Sequence, residues 1–174
     1  YWDKTFEKAQ YEAFDIQMQW ALDLQIPIVI HTRNAMQETI NVVKEYVPKG
    51  LRGIFHCFSG SYENAKEIIK AGFYLGIGGV LTYKNAGLAE VLTKIDLQYL
   101  VIETDAPYLT PLPFRGKRNE SSYIPIIAEK VAVLKGITVF PLKSYAARKL
   151  TKSLRMNCED FLAVRSFAIR TCWR

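Results

Sequence analysis

Only two histidines occur in this 174-residue chain, His31 and His56, and each stands at the end of a short apolar run. Ile28, Val29 and Ile30 lead into His31, and Gly53, Ile54 and Phe55 lead into His56. A third run, Leu100, Val101 and Ile102, ends in the same way with Glu103, Thr104 and Asp105. Such runs read as buried strands, and in α/β proteins ligands gather at the carboxyl ends of parallel strands, where the following loops form a crevice. If the strands are parallel, His31, His56 and Asp105 rise on the same face of one sheet. Two neutral imidazoles and a carboxylate form a ligand set for a divalent metal with open positions, which hydrolases use to ionise water. The metal itself is left open: imidazole suits zinc, and further carboxylates would shift the preference to magnesium or manganese.

The neighbours of these three residues offer less. Cys57 adjoins His56, but adjacent residues of a regular strand point to opposite faces, so a buried structural thiol is expected there, not a Cys/His nucleophile. Glu103 either pairs with Asp105 or is tied to backbone or to an arginine. Arg33, Ser59 with Gly60, and Arg115 with Lys117 and Arg118 lie in loops that follow strand ends, where they would neutralise or hold a phosphate. Tyr83, Tyr108 and Phe114 could stack a base or merely close a hydrophobic edge.

The elements that must position these groups are legible in order. A helix is expected over Thr5–Leu24, capped by Asp3, with Phe6, Ala13, Phe14, Ala21 and Leu24 inward. The strand into His31 and a helix over Ala35–Val47 follow, stopped by Pro48 and Gly50. The strand Gly53–Phe58 precedes a helix over Tyr62–Ala71 with Ser61 as its N-cap. A third strand, Phe73–Ile77, runs into Gly78 and Gly79, where backbone can approach a neighbour closely. After an irregular stretch come a short helix, Gly87–Ile95, and the strand Leu100–Ile102. A last helix, capped by Ser121 or Ser122, tolerates Pro125 in its first turn and closes at Gly136. Strand and helix alternating with short links imply parallel strands and right-handed crossovers, hence a doubly wound sheet or part of an eight-stranded barrel. No dinucleotide fingerprint follows any strand, which disfavours the first.

Composition sets the outer bounds. An apolar share of 49% suits one globular unit, and no apolar run is long enough to cross a bilayer. Three widely spaced cysteines, Cys57, Cys158 and Cys172, match no zinc or disulfide framework, and no signal peptide opens the chain, so a cytoplasmic setting is expected. The net charge of +6 is unevenly held: residues 1–135 carry 15 basic and 15 acidic groups, whereas residues 136–174 carry 8 and 2. The global charge therefore says little about the patterned region. Tyr1 is not a methionine, and the sequence is expected to be an internal piece of a longer protein.

The motifs VIHTR (Val29–Arg33), HCFSGS (His56–Ser61), GFYLGIGGVLTYKNA (Gly72–Ala86) and IETDAPYLTPLPFRGKRNE (Ile102–Glu120) resemble the TatD-type metal-dependent DNase family of amidohydrolase-like TIM barrels. The resemblance implies a (β/α)₈ barrel, of which residues 1–136 would be about the second half, strands five to eight. It also implies a centre of two divalent cations (Mg²⁺, Mn²⁺ or Zn²⁺) that hydrolyses phosphodiester bonds in DNA. His31, His56 and Asp105 would be ligands, Asp105 also taking a proton from the attacking water, and Arg33, Ser59 and Arg115 would contact phosphate. The family's remaining ligands, an HxH pair and a glutamate, have no counterpart in this sequence. A half barrel exposes strand edges and an inner face, so the isolated chain is expected to be marginal and inactive. The atypical basic tail, 137–174, fits neither pattern and reads as a nucleic-acid-binding arm or as a stretch foreign to the fold. DNA is the expected partner, with no membrane and no obligatory protein partner. Two other functions remain on sequence grounds: a metal-dependent amide or ester hydrolase of the same barrel class, or a non-catalytic nucleic-acid-binding fragment.

Overall fold

A computed structural model of the chain describes residues 6–139. The cap expected of Asp3, the basic helix expected over Leu142–Leu154 and most of the tail lie outside them. Four strands, β1 (Ile28–His31), β2 (Gly53–His56), β3 (Tyr74–Ile77) and β4 (Leu100–Ile102), form one parallel sheet in the order β1-β2-β3-β4. The helices are α1 (Glu7–Asp23), α2 (Met36–Tyr46), α3 (Tyr62–Lys70), α4 (Leu88–Thr93) and α5 (Ile124–Lys135). No described helix is long and apolar enough to cross a membrane.

Local chemistry sets most boundaries where expected. Ser61 and Asn64 form a reciprocal capping box at the start of α3, each backbone N–H donating to the other's side chain. Pro48 sits in a single 3₁₀ turn after α2, and Gly50 ends it in the left-handed conformation (φ +100°). Pro125 lies in the first turn of α5, while Ser121 and Ser122 form a 3₁₀ turn ahead of it without a side-chain cap. Lys135, in the last turn of α5, donates to the Leu92 and Ile95 carbonyls, placing a cation at the C-terminal end of α4. Helix α1 differs from expectation. Its buried stripe is Phe14, Met18 and Ala21, while Phe6, Ala13 and Leu24 are exposed. Ile16 and Trp20 are exposed as well, so apolar residues lie on more than one face and their spacing does not single out the inward one.

The sheet's two faces have different partners. Register pairs His31 with His56, Ile30 with Phe55, Phe55 with Leu75, and Leu75 with Leu100. Alternation along each strand then puts Ile28, Ile30, Phe55, Leu75 and Ile77 on one face. Those five share a single core cluster with Phe14 and Met18 of α1, Ile40 and Val43 of α2, Ile68 of α3, Leu92 of α4 and Ile127 of α5. All five described helices therefore cover that face. The opposite face carries Val29, His31, Ile54, His56, Gly76 and Val101, none of which belongs to the cluster.

This asymmetry gives a stability test. Phe55, 1% exposed and packed edge-on against Phe73 with ring centroids 5.6 Å apart, should cost about 3–5 kcal/mol on truncation to alanine. Val29→Ala, on the other face, should cost only about 1 kcal/mol. Urea unfolding of the two variants checks the assignment, and equal losses would contradict it.

Candidate metal centre

The register that builds the sheet also builds the site. His31 and His56 are partners across β1 and β2, with ring centroids 6.0 Å apart and planes tilted by 43°. Level with His56 on the next strand is Gly76, itself paired with Val101 of β4. Glu103 follows β4 directly, and its N–H donates to the Ile77 carbonyl at 3.1 Å, which keeps its backbone in the ladder. Its side chain lies over β3 and reaches β2: the carboxylate oxygen Oε1 stands 2.9 Å from His56 Nδ1. That path is open because residue 76 is glycine. A Cβ there would lie 2.3 Å from Glu103 Oε1, far inside contact distance.

The second imidazole nitrogen, His56 Nε2, is 3.2 Å from Asp105 Oδ1. Asp105 stands in the loop after β4, and its carbonyl accepts from Tyr108 N–H at 2.7 Å. His56 is thus held between two carboxylates. Glu103 on Nδ1 orients the ring and fixes which nitrogen faces Asp105, the arrangement by which a carboxylate positions a metal-binding histidine.

Cys57 departs from the sequence expectation. Strand β2 ends at His56, and Cys57 takes a left-handed backbone (φ +47°), so strand alternation no longer governs its side chain. The ladder skips it: Cys57 N–H donates to Glu103 Oε1 at 2.5 Å, and Phe58 N–H resumes pairing with the Gly76 carbonyl. The strain of a non-glycine residue in that region, roughly 1 kcal/mol or more, is offset by this charge-assisted bond. The result is that ligand atoms of His56, Cys57 and Asp105 lie within 4.8 Å of one another. An imidazole, a thiol and a carboxylate form a donor set whose chemistry fits a divalent cation.

Electrostatics favour a positive charge at this place, and the imidazolium and thiol must each lose a proton to act as metal ligands. Burial works against a charged imidazole at His56, but hydrogen bonds to Cys57 and Glu103 and the adjacent negative charge push its pKa from 6.5 up to about 11. Burial pushes the Cys57 thiol up, so near neutral pH it is an S–H, and the Glu103 carboxylate is what holds the imidazolium. A proton on His56 therefore supplies the positive charge among these acidic groups.

The remaining sequence candidates lie farther out. Arg33 and Ser59 are exposed in the loops after β1 and β2 and make no hydrogen bond to the cluster. Arg115 lies with its guanidinium 4.4 Å from the centre of the Tyr83 ring. Phe114 stacks on Tyr123 at 4.8 Å, closing a hydrophobic edge, and Tyr108 is exposed. Sequence reasoning missed the inward Cys57 and left the role of Glu103 undecided. The available signal was Gly76, a glycine inside a strand, which marks a close approach.

The architecture is a parallel α/β sheet with a polar cluster at its strand ends. The chain belongs to the TatD family: the model of TatD-related DNases matches residues 1–152. It is 42% identical to the metal-dependent hydrolase YabD of Bacillus subtilis over 158 residues, covering 90% of this chain and 62% of that protein. It is 38% identical to the 3′-5′ ssDNA/RNA exonuclease TatD of Salmonella typhimurium over 133 residues, covering 73% and 51%. Among solved structures, the TatD homologue YJJV of Escherichia coli K12 superposes with a TM-score of 0.80 at 24% identity, covering 88% of this chain and 59% of that one. The chain thus spans about half to two thirds of the length of these relatives.

The raised pKa of His56 makes a signed prediction. A group whose pKa rises on folding stabilises the fold fully below its unfolded pKa and loses that contribution as pH climbs through the folded one. The window runs from 6.5 to about 11. In EDTA, wild type should melt above Glu103→Gln by its widest margin near about pH 6, the margin narrowing toward about pH 10. A margin that grows with pH would contradict the pairing.

Proposed function

We propose that this chain supplies strands five to eight of a (β/α)₈ barrel whose completed centre is a metal-dependent deoxyribonuclease. One observation supports the reading: at the strand ends His56 meets Asp105 at 3.2 Å beside the ring of His31, while the donor atoms that cluster are those of His56, Cys57 and Asp105. A barrel interior is the covering that the face opposite the helices calls for, and an eight-stranded barrel needs as many strands again. His31, His56 through Nε2, and Asp105 would hold divalent cations, two in the full site and of the Mg²⁺, Mn²⁺ or Zn²⁺ class. Glu103 holds His56 in place from Nδ1, and the Cys57 thiol stands at the rim of the same space. When bound, such a cation supplies Lewis acidity toward a phosphoryl group and acidifies water.

Asp105 is the group positioned to accept a proton, since its Oδ1 already meets the Nε2 edge of His56. The substrate class follows from the relatives' names, one of which is an exonuclease of single-stranded DNA and RNA. The free Cys57 thiol beside these ligands suits a reducing, cytoplasmic setting. Arg33 and Ser59 flank the site as phosphate contacts of the completed assembly.

The test uses the 174-residue chain alone and joined to the portion of the Bacillus relative that it does not match. The joined protein should cleave a labelled single-stranded oligodeoxynucleotide with Mn²⁺ or Mg²⁺. EDTA and His56→Ala should each lower the rate by about 10²-fold or more, and the chain alone should show negligible turnover. Turnover by the chain alone would refute the half-barrel proposal. A joined protein that hydrolyses small amides or esters but not DNA would favour the other hydrolase class.

A further inference from the structure

Between the loop after β3 and the loop after β4 lies a groove of about 580 Å³, lined by Tyr83, Lys84, Asn85, Ala86, Leu112 and Arg115. It opens at the same end of the sheet as His31, His56 and Asp105, because both loops leave the carboxyl ends of adjacent strands. Its volume falls within the range of small-molecule sites. Among the described residues its lining contains two cations, an aromatic ring, an amide and apolar carbon, and no acidic group.

The walls are fixed in place. The Tyr83 hydroxyl donates to the Thr110 carbonyl at 2.9 Å, which pins the ring. Thr82 Oγ1 accepts from Leu112 N–H at 2.9 Å and donates to the Gly79 carbonyl at 2.7 Å, tying one loop to the other. Gly79 lets them meet, since a Cβ there would lie 2.1 Å from the Leu109 carbonyl oxygen. Asn119, 2% exposed, donates to the Tyr108 carbonyl and accepts from Glu120 N–H, which holds the far end of the second loop. Arg115 rests one face of its guanidinium on Tyr83, leaving the other face and its N–H donors for a ligand.

We infer that this groove is a nucleotide subsite: one base of a single strand stacks on the Arg115–Tyr83 pair, and its phosphate lies between Lys84 and Arg115. The inference rests on the proposed action on nucleic acid and adds where and how a strand is gripped. A planar, apolar wall with two cations at its rim matches an aromatic base joined to an anion, and stacking on it tolerates any base. Charge alone would accept a bare phosphate, so the aromatic element is the distinguishing one.

The experiment titrates the full chain, in EDTA, with a fluorescein-labelled eight-thymidine oligonucleotide and with an abasic strand of equal length and charge. The thymidine strand should bind about tenfold more tightly than the abasic one. Arg115→Ala should weaken thymidine-strand binding about tenfold and reduce the salt dependence by about one counterion. Tyr83→Ala should bring the thymidine strand down to the abasic level, whereas Tyr83→Phe, which keeps the ring, should retain the preference. Equal affinity for the two strands, or unchanged binding by Arg115→Ala and Tyr83→Ala, overturns the inference. The same variants in the joined protein give a second readout if the chain alone associates. Failure of metal-dependent cleavage with thymidine binding intact would refute the nuclease reading and leave the groove standing. Normal cleavage with no effect of Arg115→Ala or Tyr83→Ala would refute the groove alone.

Discussion

A carboxylate from one strand reaches a histidine two strands away because the strand between them carries no side chain. Glu103 leaves β4, passes over Gly76 and meets both His56 Nδ1 and the Cys57 N–H with one oxygen. The contact fixes three things together. It orients the imidazole toward Asp105, it holds Cys57 in its left-handed turn, and it places negative charge beside the imidazole. A side chain as small as a methyl at position 76 would force the carboxylate away and release all three.

The sheet's division of labour follows from the same register. Apolar residues on one face bury themselves against five helices in a single cluster, and the two histidines stand at the strand ends of the other. Within each strand the two roles alternate, as in Ile28, Val29, Ile30 and His31, so a shift by one residue would exchange core for site. Hydrophobic burial thus sets the registry of the two histidines as well as the fold. His31 and His56 are neighbours because Ile30 and Phe55 are.

Much of this was legible in the sequence, and the exceptions have physical causes. Apolar runs closing in His31, His56 and Glu103–Asp105 disclosed strands and their common direction, and with it the pairing of His31 with His56. The capping Ser61 and the closing Gly136 disclosed helix ends. The inward face of α1 was not legible, since its apolar residues occupy more than one face. Nor was the position of Cys57, since alternation fails once the backbone enters a left-handed turn, and that turn is held by a residue 46 positions away. The reach of Glu103 likewise depends on β3 lying between β2 and β4, which no local pattern states. Such long-range contacts decide the finer geometry of the site and brought Cys57 into it.

With only two histidines in the chain, imidazole ¹⁵N–¹H correlation spectra are simple enough to read the state of His56 directly, assigned with His31→Gln. The measurement compares the full chain in EDTA with the chain plus Zn²⁺ at neutral pH. In EDTA both His56 nitrogens should carry protons; with zinc, Nδ1 should keep its proton toward Glu103 while Nε2 loses its own and shifts as a ligand. A neutral His56 ring in EDTA, or a proton that leaves Nδ1 while Nε2 keeps its own, would contradict the account.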